Sequence, residues 1–487
     1  MAKRTAVIDI GSNSARMIII EKTSRFAFHL LHEVKSKVRI SEDAYQNGGA
    51  LQERAMERAL LALKDFVQIA DSYDVRKTLC VATSAVRDAS NKKSFLSRVK
   101  KEIGLSIKVI DGEREAYLGG IACANLLPRY DAMTLDIGGG SSECACIEAG
   151  KVIQADSLDL GTVRLKELFF DHNDLKGAKR YIDEILEKLD TNEQRHIIGV
   201  GGTFRALAQI ILKEQGHPLN KVHGFTFEAK ALTTLGKKIL AAETNSELKA
   251  LGVKKERYDV IKPGTLILLR IIKRVGAKEL TCSGVGVREG VYLSDLLRHN
   301  QDIFPANFNP SLKYLLDRHT HNAHQRNLRV KLTKKLFEEL HDTLGLPSHY
   351  EAPLLIAAKL AKIGASHHFY SFQNHSYYLS LTALEYGFTH EEIALISMLV
   401  LNQLGKGIKK GDFNAFASIL PEIEVLQRLT NILALSDALL AHHPREIDFS
   451  ITVEERKLFI DSPKEVAYLA EESINGINGN IIEVRFR

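Results

Sequence analysis

A chain of 487 residues is too long for one ordinary core, and at about 150 residues per domain it predicts some three units; 45% hydrophobic and 26% charged residues fill globular cores and exclude a disordered chain. The net charge of +6 comes without basic runs, which argues against nucleic acid as a partner and leaves either a solvated basic surface or a groove for an anionic substrate. No apolar run reaches the roughly 18 residues of a membrane span, no signal-peptide pattern opens the chain and the five cysteines include no C-x-x-C pair, so a cytosolic protein without membrane, disulfide framework or zinc is expected.

In chain order, Thr5 to Ile10 and Met17 to Ile20 read as strands, with a third between Phe28 and Val38. The first two enclose V-I-D-I-G-S-N-S, Val7 to Ser14, an apolar strand that delivers Asp9 to a serine-rich turn. Met56, Leu60, Leu63, Val67 and Ala70 recur at helical spacing and predict a helix over Leu51 to Ser72. The next strand, Leu79 to Ala82, runs into A-T-S-A-V-R, where Arg87 is either a surface arginine or a phosphate clamp with fork geometry. After a strand at Ile107 to Ile110, D-G-E-R-E-A opens a helix at about Glu113. Glu113 and Glu115 can serve there as helix-dipole partners. A carboxylate at that edge can also deprotonate water, which is worth about 10² to 10⁴-fold in rate.

The second part repeats the plan. Strands at 132 to 136, 143 to 147 and 151 to 155 surround L-D-I-G-G-G-S-S-E, Leu135 to Glu143. Asp136 is the equivalent of Asp9, and two copies of strand, Asp, turn and strand indicate a duplicated unit. Glycine turns let backbone N–H groups approach an anion. Two such hairpins face to face would grip a polyanion, and their carboxylates would hold a hard divalent cation on its phosphates. Cys144 and Cys146 fall on one strand face and read as buried small hydrophobes. Beyond S-L-D-L-G-T-V-R-L and helices to Leu189, the strand Ile197 to Val200 enters G-V-G-G-T, a turn that puts helix N-terminal amides at the cleft floor or serves packing alone. Further helices begin at about residues 264 and 287.

With these segments in view, the chain resembles the actin, sugar kinase and heat-shock chaperone superfamily. Within it the sequence closely resembles the bacterial exopolyphosphatase and guanosine pentaphosphate phosphohydrolase family. The matching segments are D-I-G-S-N-S at 9 to 14, A-T-S-A-V-R at 82 to 87, G-E-R-E-A at 112 to 116, D-I-G-G-G-S-S-E at 136 to 143, L-G-T-V-R-L at 160 to 165, G-V-G-G-T at 199 to 203 and S-G-V-G-V-R-E-G at 283 to 290. The resemblance implies α/β architecture: duplicated ribonuclease H-like, actin-like subdomains at 1–128 and 129–305 flanking a cleft, then a mostly helical domain at 306–487. It also implies hydrolysis of a terminal phosphoanhydride in inorganic polyphosphate or guanosine pentaphosphate, with Mg²⁺ or Mn²⁺, by a homodimer. Carried over by position, Glu115 resembles the carboxylate that activates water, Asp136 and Glu143 the metal and water-positioning acids, and Asp9 their helper. Ser12, Asn13, Ser14, Arg87, Gly138, Gly139, Gly140, Ser141 and Ser142 resemble the phosphate cradle. An ATP-dependent small-molecule kinase and a non-enzymatic guanosine tetraphosphate sensor are the alternative readings.

From about Pro310 the pattern turns helical: Gln325 to Thr343, Ala352 to Ile363, Ser376 to Tyr386, His390 to Leu404 and Leu426 to Ala441, with strand-like tails at Phe449 to Ile460 and Ile481 to Phe486. This region resembles the His-Asp metal phosphohydrolases but departs from them, with Ala361 and Lys362 where the adjacent His and Asp belong and Asp437 as the survivor. His367, His368 and His375 are expected to be solvated rather than metal ligands. The region is expected to be structural.

Overall fold

A computed structural model describes residues 3–44, 47–128, 131–187, 189, 195–454, 457–462, 464–478 and 482–487. Arg129 and Tyr130 at the expected first boundary, Glu455 and Arg456 within the first strand-like tail, and Ile481 at the start of the second lie outside the described residues. The chain forms two compact units, Met1–Pro310 and Ser311–Arg487. No helix among the described residues is long and apolar enough to cross a membrane.

The first unit contains two lobes. In the first lobe, β1 (Lys3–Ile10), β2 (Ala15–Lys22) and β3 (Phe28–Ser36) form an antiparallel meander. They are followed by α1 (Glu53–Ser72), β4 (Lys77–Ala82), α2 (Ser84–Arg87), α3 (Lys92–Ile103), β5 (Lys108–Val109) and α4 (Gly112–Leu126), the last crossing over so that Cys123 and Ala124 share a core with Ile147, Ile198 and Val200 of the second lobe. The five-stranded sheet runs β3-β2-β1-β4-β5, with β4 parallel to β1 and β5 parallel to β4. Ile8, Ile10, Met17 and Ile19 bury one sheet face in the same core as Leu60, Leu63 and Phe66 of α1, as the period of 2 against 3.6 requires.

The second lobe repeats this order with insertions: β6 (Ala132–Ile137), β7 (Ser142–Glu148), β8 (Lys151–Leu158), α5 (Thr162–Leu168), α6 (Leu175–Leu186), β9 (His196–Val200) and α7 (Gly201–Glu214). Then come β10 (Thr226–Glu228), α8 (Ala229–Ala241), α9 (Asn245–Ala250), α10 (Ile261–Val275), β11 (Glu279–Cys282) and α11 (Val287–Leu296). Its six-stranded sheet runs β10-β11-β9-β6-β7-β8, so β8-β7-β6-β9-β11 reproduces β3-β2-β1-β4-β5. The helix expected from about residue 264 begins earlier, at Ile261, because Pro263 sits in its first turn, where the missing N–H forfeits no helical bond.

The second unit is helical. It comprises α12 (Pro310–His319), α13 (Ala323–Leu340), α14 (Glu351–Leu360), α15 (Phe372–Ala383), α16 (His390–Leu401), α17 (Lys410–Asn414) and α18 (Ile423–Leu439). A small sheet of β12 (Ser450–Glu454), β13 (Lys457–Asp461) and β14 (Glu483–Phe486) encloses α19 (Lys464–Asn475) in sequence. Leu332 and Leu336 of α13, Ile396 and Leu399 of α16, and Leu429 and Leu433 of α18 are fully buried. Asp437 of α18 binds Lys362 at 2.8 Å and Arg329 at 3.2 Å. Although burial opposes its charge, these two cations hold its carboxyl below the usual range. Lys362 thus pairs directly with the aspartate of α18.

Candidate active site

The two duplicated turns are built by the same hydrogen bonds. Gly11 N–H donates to Ser14 O at 3.2 Å, and Gly138 N–H donates to Ser141 O at 2.9 Å. In each turn the carbonyls are taken from behind. Ser12 O accepts from Ser41 N–H (3.3 Å) and Asn13 O from Arg39 N–H (3.1 Å), while Gly138 O accepts from Thr162 N–H (2.9 Å) and Gly139 O from Val163 N–H (2.8 Å). The L-G-T-V-R segment is therefore the brace of the glycine turn. The turns face each other closely enough that a Cβ on Gly139 would stand 2.7 Å from Ser12 Cβ.

Strand register sets the charges beside the turns. Asp9 pairs across its hairpin with Arg16, and Asp136, at the equivalent place, pairs with Glu143. Glu115 joins them from the first turn of α4, which Asp111 caps by accepting from Arg114 N–H at 2.7 Å. All four carboxylates line one cavity of about 160 Å³ between the lobes. Arg87 Nη1 donates to Glu115 Oε2 at 3.2 Å, and Ser157 Oγ donates to Glu143 Oε1 at 3.0 Å.

Burial, reinforced by mutual repulsion, raises the proton affinity of this group. Glu115 is pushed well above the usual carboxylate range by burial and then by the charges of Glu143 and Asp9, against the pull of Arg87. Glu143 is pushed up to about 7 by burial, with Ser141 and Ser157 opposing. Asp9 is pushed up to about 6, again chiefly by burial, and Asp136 is raised for the same reason. Carboxylates whose proton affinities are raised together in a cleft mark a candidate functional site.

The same cavity is also lined by Arg16, Lys35, Arg205, Arg257 and Arg288. Burial, then repulsion from Arg16 and Arg257, lowers Lys35 to about 8. Arg288 is only 6% exposed and donates to Glu33 at 2.7 Å. The N-terminus of α7 opens into the same cavity. Gly201 begins it with φ +80°, and a Cβ there would run into Asp136 Oδ1, so glycine is required on both counts.

Of the residues expected at the site, Asp9, Ser12, Asn13, Ser14, Glu115, Asp136, Gly138, Gly139, Ser141 and Glu143 line the cavity. Arg87 does not line it and instead contacts Glu115 from behind. Gly140 and Ser142 are not brought in either: Gly140 O accepts from Arg164 Nε at 2.9 Å, and the buried Ser142 hydroxyl donates to Leu160 O at 2.5 Å. Alternation explains the difference, because Ser142 is already the first residue of β7 and points away from its neighbour. The cationic wall was missed. Arg288 could have been found in the S-G-V-G-V-R-E-G segment, and Arg16 from its register opposite Asp9.

Among the described residues no group of three or more His, Cys, Asp or Glu side chains converges as a metal site. Mg²⁺ is commonly held by one or two carboxylates together with substrate phosphates and does not need such a group. Asp9 Oδ1, buried and without a hydrogen-bond partner among the described residues, is a ligand of the kind required.

Comparison with known proteins agrees with this architecture. Residues 4–299 match the model of the Ppx/GppA phosphatase family, and residues 311–467 match that family's domain III. The chain belongs to the Ppx/GppA phosphatase family. Among solved structures of this family, the Aquifex aeolicus member is 29% identical with a TM-score of 0.54, covering 62% of this chain and 99% of its own. An exopolyphosphatase from Cytophaga hutchinsonii is 28% identical with a TM-score of 0.56, covering 60% of this chain and 98% of its own. A bifunctional 3-dehydroquinate synthase/phosphatase from Fusobacterium nucleatum is 32% identical over 291 residues, which is 56% of this chain. The chain spans only 43% of that relative's length. The Ppx/GppA fold, actin-like lobes followed by a helical domain, is the one described above.

Proposed function

We propose that this phosphatase hydrolyses the terminal phosphoanhydride of an oligophosphate chain, releasing orthophosphate from inorganic polyphosphate or from guanosine pentaphosphate. The observation that carries the reading is the lining of one cavity by four carboxylates, Asp9, Glu115, Asp136 and Glu143, together with five cations, Arg16, Lys35, Arg205, Arg257 and Arg288. Phosphoryl transfer is mostly positioning and charge neutralisation, so this combination suits it without a nucleophilic side chain. Phosphates lie against the cations, the turn amides and the α7 N-terminus. Glu115 takes the proton of a water whose oxygen attacks the terminal phosphorus, the P–O bond to the chain breaks, and its electrons leave on the shortened chain. The raised proton affinity of Glu115 strengthens it as an acceptor of that proton. One or two of Asp9, Asp136 and Glu143, together with substrate phosphates, would hold Mg²⁺ or Mn²⁺, which when bound neutralises phosphate charge.

Guanosine pentaphosphate is favoured as a second substrate by an adjoining cavity of about 490 Å³, which shares Arg16, Gly202, Arg205 and Arg257 with the first. Its walls include Ala206, Ile210, Leu251 and Val253, with Gln209, Lys213 and Lys254 at polar positions. Apolar walls with a few polar groups suit a nucleoside beside its phosphates. The test is phosphate release with Mg²⁺ from long-chain polyphosphate, guanosine pentaphosphate and ATP. Release from either of the first two supports the reading. Transfer of the ATP γ-phosphate to a metabolite would replace it with a kinase, and silence on all three, with tight guanosine tetraphosphate binding, with a sensor.

A further inference from the structure

At the other end of β1 from Asp9 lies a separate cavity of about 500 Å³. With a rise of about 3.3 Å per residue, the strand sets it about 20 Å from the catalytic carboxylates. Lys3 and Arg4 of β1, Lys22 at the end of β2, Arg25 in the following turn, Lys77 at the start of β4 and Arg298 beyond α11 line it. Among the described residues Asp295 is its one acidic lining side chain, and that carboxylate is already engaged by Lys77 at 2.5 Å and Arg298 at 3.3 Å. Arg4 is held by Glu21 at 3.1 Å, whereas Lys3, Lys22 and Arg25 make no ion pair among the described residues. The crowding is felt: burial, then the like charges of Lys3, Arg25 and Arg298, lowers Lys22 below the usual lysine range.

A second observation is independent of charge. Tyr292 of α11 lines the same cavity at 4% exposure, and its hydroxyl has no hydrogen-bond partner among the described residues. Its ring is fixed edge-on against Phe28, with centroids 5.0 Å apart. A buried hydroxyl left without an acceptor is costly and rare, so one kept at the wall of a basic cavity indicates an acceptor supplied from outside.

We propose that this cavity is a second anion site, which takes a run of two or three linked phosphates. The volume exceeds a single orthophosphate, and the excess of fixed cations over Asp295 calls for several negative charges in a compact group. Phosphate oxygens would accept from the Tyr292 hydroxyl and from the Arg25 and Lys22 donors, the guanidinium matching phosphate geometry. The phosphates belong to inorganic polyphosphate or to the pyrophosphate groups of a nucleotide.

The test uses the full chain with Glu115→Gln, so that the probe is not consumed, and counts sites by calorimetric titration with inorganic tripolyphosphate and, separately, with guanosine tetraphosphate. Adding Lys22→Glu and Arg25→Glu is expected to remove one tripolyphosphate site per chain at unchanged melting temperature. Because the readout is the loss of one site, it holds whether or not the catalytic cavity binds the probe, and so it is separate from the hydrolase reading. Tyr292→Phe, which breaks no hydrogen bond among the described residues, is expected to weaken that site about tenfold. Loss of a site for both probes identifies a pyrophosphate group of either source, and loss for tripolyphosphate alone identifies the inorganic chain. A site count unchanged by the charge reversals, or an affinity unchanged by Tyr292→Phe, overturns the proposal.

Discussion

Glu115→Gln separates chemistry from folding. Gln is nearly isosteric, and its carbonyl can still accept from Arg87, which contacts Glu115 at 3.2 Å. Loss of a general base costs about 10² to 10⁴-fold in rate. At 1.36 kcal/mol per tenfold, that is about 2.7 to 5.4 kcal/mol of transition-state stabilisation. Stability moves the other way. The folded environment raises the proton affinity of Glu115 through burial and through Glu143 and Asp9. Such a carboxyl destabilises the native state once pH exceeds its unfolded value, and Gln does not. The variant should therefore match the parent's melting temperature in acid, below the ordinary glutamate range, and exceed it as pH rises toward neutrality. Phosphate release and thermal melting across that pH range are the assays. Turnover within threefold of the parent, or a variant less stable at neutral pH, would refute the reasoning.

Lys35, lowered to about 8, should lose its charge as pH rises through that value, so kcat/KM should fall there while kcat, measured with the anion bound, does not. Lys35→Met should erase that limb, and a limb that persists in the variant assigns it to another group. Gly139→Ala would push a methyl to within 2.7 Å of Ser12 Cβ and should cut kcat/KM by about 10², the usual effect of a displacement near 1 Å at a reacting site, without unfolding the chain in circular dichroism. In the helical unit, Asp437→Asn should cost about 3 kcal/mol, because it leaves the buried Arg329 cation uncompensated. Since the Asp437 carboxyl is held below the usual range, its stabilisation is present above the unfolded carboxylate value and lost as pH falls through the folded one. Melting curves of parent and variant should converge in strong acid, and a gap that persists there would deny the ion pair its role.

The duplicated plan was legible because it is local: an apolar strand, an aspartate and a glycine or serine turn are contiguous, and their second copy repeats the order. The four carboxylates were reachable for the same reason, each lying at or beside a turn or a helix start. The cationic wall was not. Arg16, Lys35, Arg205 and Arg257 come from β2, β3, α7 and the stretch before α10, and only the closing of the two sheets brings them to one cavity. The resemblance places Ser142 in the phosphate cradle by position, whereas β7 starts one residue earlier than expected and alternation turns that side chain inward. The cavity near Tyr292 had no sequence signal, since its cations are spread from Lys3 to Arg298.

The register of the repeated hairpins has one further consequence. A single framework position holds Arg16 in the first lobe and Glu143 in the second. Duplication alone yields a symmetric cleft, in which a linear anion could lie either way round. Opposite charges at that one position break the symmetry, so the cleft has a head and a tail, and the oligophosphate proposed above would enter it one way round.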